Sequence, residues 1–348
     1  MMKVKPGFTV FERGSKIAWI TPHSGPCMET PTSRDDHSDT VASLCWKKVG
    51  GWFIMSTMPR KRIYGIDYNR DPPTLKDALK YYGWFTANEN PEKLQQYRMK
   101  YSWVARNRRD HFTRRKIYRN FWDTVKKSGR NMVFVHRKFS RLKNFPSIMD
   151  VVAYEDRGYN RDMLRTVVSR VNRKFSPFLK SISRNYKNAI ILEEQRVVDR
   201  VKEIFPDFDM EKIGIEYKTH IEEDMKIIKR FAKKNVVKKL DESFSPTSFM
   251  RGVRSALSNA GDPRITVESI FRGDKATTQM KSVYRTRNVL EIEANAFLNY
   301  WYPNEASDMI LEIFNEVKPM RKITNYFTEK KGWKSRLLGS GWNKFNLK

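Results

Sequence analysis

IAWITPHSG (residues 17–25) decides the reading of the fold. Ile17, Ala18, Trp19 and Ile20 run without a polar interruption, and Pro22 and Gly25 follow. A short apolar run closed by breakers suits a strand buried on both faces, as parallel sheets require. His23 comes directly after it. Three more runs read the same way: WFIMST (52–57) between Gly51 and Pro59, NMVFVH (131–136) ending in His136, and IMDVVAY (148–154). NVLEIEANAF (288–297) reads as a strand with Glu291 and Glu293 on one face. RIYGIDYN (62–69) alternates ahead of the breaker Asp71-Pro72-Pro73 and is expected as a strand too.

Helical spacing fills the gaps. In SRDDHSDTVASLCWKKVGG (33–51), Val41, Leu44, Cys45 and Val49 share a face, with Asp36 or Ser38 placed to cap the start and Gly50-Gly51 the end. Strand, loop, helix, strand is an α/β opening. Residues 74–130 read as helical and basic, with an apolar stripe of Tyr118, Phe121, Trp122 and Val125. Further helices are expected over 161–185, 193–205, 221–238 and 306–317. Glu222, Glu223 and Asp224 would open the third of these, where a helix dipole favours acids. The expectation is an α/β fold, a mixed central sheet flanked by helices, in one domain over 1–317. The basic helical insertion 74–130 lies within it and a flexible basic tail, 318–348, follows.

The 348 residues suffice to bury a core without covalent staples, and 39% hydrophobic content argues against disorder. No apolar run of about 18 residues occurs, which excludes a membrane-spanning helix. MMKVKPGFTVFERGSK (1–16) lacks the apolar centre of a secretory signal. Two cysteines, Cys27 and Cys45, exclude a disulfide framework and favour a reducing compartment, so a cytoplasmic location is expected. The net charge of +29 favours an anionic partner. Residues 97–145 hold 16 Lys and Arg against 2 Asp, and 318–348 hold 9 against 1 Glu, so most of the excess sits in two stretches.

No Walker A loop, dinucleotide-binding glycine fingerprint or GxSxG elbow occurs. Of five histidines, His23 and His136 stand at strand ends, where ligands gather in open α/β sheets. Two such histidines with acids nearby make a candidate zinc site.

TPHSG (21–25), RDDHSDTVASLCWKKVGG (34–51) and YGIDYNRDPP (64–73) together resemble the N-formylglutamate amidohydrolase family. VFVHRKF (133–139), FPSIMDVVAYEDRG (145–158), IFRGDKATTQ (270–279) and VLEIEANAFL (289–298) continue the resemblance in the family's order. The blocks cover residues 17–317, and YGIDYNRDPP and LEIEANAF are the most specific. The resemblance implies a zinc-carboxypeptidase-like α/β fold, related to the phosphorylase/hydrolase type, and a zinc-dependent amidohydrolase acting on an N-acyl amino acid or similar small carboxylate. It implies one zinc ion, two histidine ligands and a carboxylate, an Asn-Arg pair for the substrate carboxylate, and a late Glu as general base.

Carried over, His23 and His136 become metal ligands with Asp36 as the acidic third, Asp35 and Glu29 being the alternatives. Asn69 and Arg70 become the carboxylate clamp, Arg62 a second anion contact, and Glu293 the base. One departure stands out: the family's Asp-x-His-Ser is Phe134-Val135-His136-Arg137 here, so the acid that would hold the histidine is replaced.

A rival reading is a catalytically inert hydrolase-like scaffold that binds nucleic acid or another polyanionic assembly. Arg106, Arg108, Arg109, Arg114 and Arg115, with Trp103 and Phe112 among them, mix guanidinium and aromatic groups as such surfaces do.

Overall fold

The apolar runs quoted above form the middle of one mixed sheet. In the computed structural model, which describes residues 1–26, 34–87, 89–154, 159–271 and 277–317 (without the side chains of 215 and 216), eight strands belong to it. They are β1 (Met2–Lys5), β2 (Phe8–Arg13), β3 (Ile17–Thr21), β4 (Gly51–Ser56), β5 (Asn131–Lys138), β6 (Ser147–Val152), β7 (Arg264–Val267) and β8 (Asn288–Asn295). Their order is β1-β2-β4-β3-β5-β8-β6-β7. β4, β3, β5 and β8 run parallel, while β2 and β6 pair antiparallel with β4 and β8. The tail 318–348 lies outside the described residues.

The helices are α1 (Ser38–Val49), α2 (Leu75–Ala87), α3 (Pro91–Lys100), α4 (Arg108–Ser128), α5 (Arg161–Lys174), α6 (Ser176–Ile204) and α7 (Ile215–Phe231). α8 (Lys234–Glu242), α9 (Pro246–Asn259), α10 (Thr278–Tyr284), α11 (Ala296–Trp301) and α12 (Pro303–Glu316) complete them. Side chains of one strand alternate between faces, and two cores result. Ile17, Trp19, Val133, Val135, Leu290 and Ile292 pack under α1, α5, α6 and α12. Ala18, Ile20, Met132, Phe134 and Val289 pack under α2, α4 and α10, against Tyr118, Phe121 and Trp122. This second face also receives His136, two residues past Phe134, and Glu291 and Glu293, two and four past Val289.

The basic insertion therefore packs on the face of the sheet that carries His136, Glu291 and Glu293. Arg114 is buried and donates to the carbonyls of Arg62, Ile63 and Gly65 at 2.8–2.9 Å. Those carbonyls are consumed by a guanidinium, and residues 62–69 accordingly form turns, not the expected strand. Gly65 is required there, since a Cβ would meet the Pro59 carbonyl oxygen at 1.8 Å. Burial also removes Arg114 and Trp103 from the expected polyanion surface; Arg106, Arg108, Arg109, Phe112 and Arg115 remain exposed. The helix expected over 221–238 starts earlier and divides into α7 and α8, so Glu222, Glu223 and Asp224 fall inside α7 and do not open it.

Candidate active site

His23 leaves β3 in a tight turn. Ser24 Oγ lies 3.0 Å from the carbonyl oxygens of both Thr21 and Ser56, which share its one proton, and Gly25 packs where a Cβ would meet the Met58 carbonyl oxygen at 1.8 Å. That turn directs the imidazole inward, where it is 2% exposed. His136 extends from β5 beside it, with ring centroids 5.0 Å apart. Both histidines address one oxygen: Asp35 Oδ2 lies 3.1 Å from His23 Nδ1 and 2.9 Å from His136 Nδ1. The backbone holds Asp35 in place, its N–H donating to the His23 carbonyl at 2.9 Å.

The other ring nitrogens are engaged as well. His23 Nε2 is 2.9 Å from Asp67 Oδ1, and His136 Nε2 is 3.1 Å from the Asn69 amide. Asn69 is drawn with its nitrogen toward His136, leaving Oδ1 buried without a partner.

The acid brought to the histidines is Asp35, not Asp36. Asp36 is 40% exposed on its side chain and faces Arg34 and Arg137 at 3.6 and 3.5 Å. After Asp35 anchors to His23, the chain turns outward through His37, in the left-handed region at φ 59°, and enters α1. Glu29 lies outside the described residues, as do Cys27, residues 155–158 and residues 272–276 of the quoted blocks.

Asp67 and Arg60 were not singled out in the sequence. Asp67 stood inside the quoted YGIDYNRDPP, flanked by the apolar Ile66 and Tyr68, and that flanking was the available signal. Its Oδ2 takes Arg62 Nη2 at 2.8 Å and Arg60 Nε at 3.3 Å, while Arg60 Nη1 reaches Asp35 Oδ1 at 3.4 Å. Burial pushes both carboxyls up, but the charges beside them win. Asp67 is held well below the usual carboxylate range by Arg62, Arg60 and His23, and Asp35 by His23, His136 and Arg60. His136 is pushed up to about 9: burial opposes the rise, and Asp35, Glu293 and Glu291 drive it.

Glu293 stands in register with His136 across β5 and β8 and is buried. Burial pushes its carboxyl up to about 8, with Glu291 and Asp35 adding to the rise and His136 and Lys138 opposing it. Glu291 lies two residues before Glu293 on the face expected from alternation, and burial pushes its carboxyl up as well.

Arg70 lines a cavity of about 240 Å³ with Asp35, Arg60, Arg62, Arg98 and Arg137. Its Nε is buried with no hydrogen-bond partner, while Nη1 donates to the Asn69 carbonyl at 3.3 Å. Arg62 faces the same cavity but spends its donors on Asp67 and on the carbonyls of Tyr101 and Arg98. Asn69 is likewise engaged by His136, while Arg70 has no acidic partner among the described residues.

Two imidazole nitrogens and a carboxylate oxygen within 4.8 Å of one another, with the far side of His23 held by Asp67, are a donor set that fits zinc. Asp67 and Asn69 occupy the supporting positions that Phe134 cannot. A second group, Glu194, His220 and Asp224, also brings three such atoms together.

No protein-family model matches the chain, and no curated protein matches it. Among solved structures, the gene product Atu2144 from Agrobacterium tumefaciens is similar over 89% of this chain and 92% of that one, at 9% identity and a TM-score of 0.41. No helix among the described residues is long and apolar enough to cross a membrane.

Proposed function

We propose that the chain is a zinc-dependent amidohydrolase that cleaves an N-acyl amino acid or similar small carboxylate-bearing amide. The observation that carries this reading is the convergence of His23 Nδ1 and His136 Nδ1 on Asp35 Oδ2, with His23 Nε2 fixed by Asp67. His23, Asp35 and His136 would hold the metal. When bound, zinc supplies Lewis acidity toward a carbonyl and lowers the pKa of water toward neutrality.

The remaining work belongs to the chain. Asp67 fixes the tautomer and orientation of His23. Arg70 takes the substrate carboxylate in a bidentate fork, a geometry that a lysine cannot reproduce. Glu293 accepts the proton of the attacking water and returns it to the leaving amine. Its burial in register with His136 supports this role, since a carboxyl pushed up to about 8 can both take and give a proton near neutrality. The test is turnover: the zinc-loaded protein should hydrolyse N-acyl amino acids, and an inert zinc-loaded protein would remove the reading.

The four exposed arginines on and just before α4, with Arg108 over the Phe112 ring at 5.6 Å, favour polyanion binding as a second reading. It predicts affinity for nucleic acid that falls steeply with salt, by about −0.9 in the log–log slope per phosphate neutralised on duplex DNA.

A further inference from the structure

The cavity beside Asp35 holds more positive charge than one carboxylate uses. Arg60 and Arg62 are matched by Asp35 and Asp67, and Arg137 lies 3.5 Å from Asp36. Arg70 and Arg98 have no acidic partner among the described residues. Arg98 comes from the C-terminal end of α3, in the helical insertion and outside the motif blocks. Its delivery is built in: Arg62 donates to the Arg98 carbonyl at 2.5 Å, and the Asp71 N–H donates to the Lys100 carbonyl at 3.1 Å. The Arg98 guanidinium lies over the Phe85 ring at 5.2 Å, which limits its freedom.

A carboxylate is planar, carries one charge and is satisfied by one guanidinium fork. Here arginines line the cavity from three sides: the 60–70 turns, α3 and β5. A tetrahedral group with a charge near −2 and three acceptor oxygens matches that arrangement. The lining offers little else, since only Met99 and Phe139 are apolar, so a long acyl tail finds no place. We infer that this cavity binds a phosphate-bearing ligand, with Arg70 and Arg98 contacting the phosphate and Arg98 setting the specificity. The inference deepens the hydrolase reading by placing a phosphate at Arg70 where that reading places the substrate's carboxylate, and it rests on that reading only for what happens next to the phosphate.

Binding tests it without turnover. Inorganic phosphate and O-phosphoserine are titrated by calorimetry into the full chain, both zinc-free and zinc-loaded. Both probes should bind in both forms, and R98A and R70A should each weaken them tenfold or more. R98K, which keeps the charge and removes the fork, should fall between wild type and R98A and covers the case in which R98A does not fold. Succinate should bind at least tenfold more weakly than phosphate, and K180A, at an exposed position on α6, should bind phosphate like wild type. Phosphate affinity unchanged in R98A and R98K, or succinate binding as tightly as phosphate, overturns the inference. Arginine-dependent phosphate binding by a protein that hydrolyses no amide supports the inference while removing the proposed reaction; amide hydrolysis without phosphate binding does the reverse.

Discussion

Two histidines in this molecule are held by carboxylates and pushed up to about 9, His136 at the sheet end and His220 on α7. Their surroundings differ. His220 Nε2 sits 2.7 Å from Glu194 Oε2 and 3.1 Å from Asp224 Oδ2. The outer oxygens of those acids close on backbone, each accepting at 2.8 Å from the N–H groups of Leu142 and Lys143. Arg141 and Lys143 match the nearby Glu223, so charge is balanced and α6, α7 and the turn at Leu142–Asn144 are tied together. Around His23 and His136 the second carboxylate oxygens turn instead to Arg60 and Arg62, beside a cavity lined by further arginines. The same residue types make a brace in one place and a candidate site in the other. What separates them is where the second oxygen of each carboxylate points.

That contrast can be broken by substitution. The largest expected effect is on catalysis: E293Q should lower kcat by about 10²–10⁴-fold, the usual contribution of a general acid or base. Zinc content should stay at the wild-type level, and an unchanged kcat removes Glu293 from the chemistry. D67N should weaken zinc affinity by about 10–100-fold, because the carboxylate behind a ligand histidine sets its tautomer and basicity. A competition assay with a chelator reads this directly, and E194Q should leave it unmoved.

R70K should raise KM for an N-acyl amino acid about tenfold, close to 1.4 kcal/mol, with little change on the matching amide-capped substrate. Equal effects on both substrates would show that Arg70 does not read a carboxylate.

The smallest expected effect belongs to the brace. Burial opposes the charging of His220, while Asp224 and Glu194 raise its pKa above the unfolded value of 6.5 to about 9. Folding therefore favours the protonated form. The stabilisation is whole below about pH 6.5 and fades as pH rises through about 9. Thermal melts across that window should show wild type losing stability that H220Q never had, and parallel curves would contradict it.

The parallel strands were legible because buried strands announce themselves as unbroken apolar runs bounded by breakers, as IAWI and NMVFV do. His23, His136, Arg70, Glu291 and Glu293 followed from strand ends, alternation and the motif resemblance. Residues 62–69 were not legible as turns, because what abolishes the strand is the guanidinium of Arg114, some fifty residues downstream. Choosing Asp35 over Asp36 needs one backbone hydrogen bond to His23 and one left-handed residue, neither visible in a run of two identical acids. The first hairpin, β1 and β2, was not legible, because its strands mix charged residues into short apolar stretches. Arg98 was hidden for a different reason: an arginine among sixteen basic residues in 97–145 shows no sign of facing a cavity until α3 is folded against the 67–71 segment.

Metal stoichiometry tests the central claim most directly. Purified wild-type protein, equilibrated with zinc and freed of excess, should carry about one zinc per chain by elemental analysis. H23A, D35A and H136A should each lose it, while D36A and H220A should keep it. Full zinc in H23A and H136A, or its loss in H220A with D35A unaffected, would place the metal elsewhere and contradict the account.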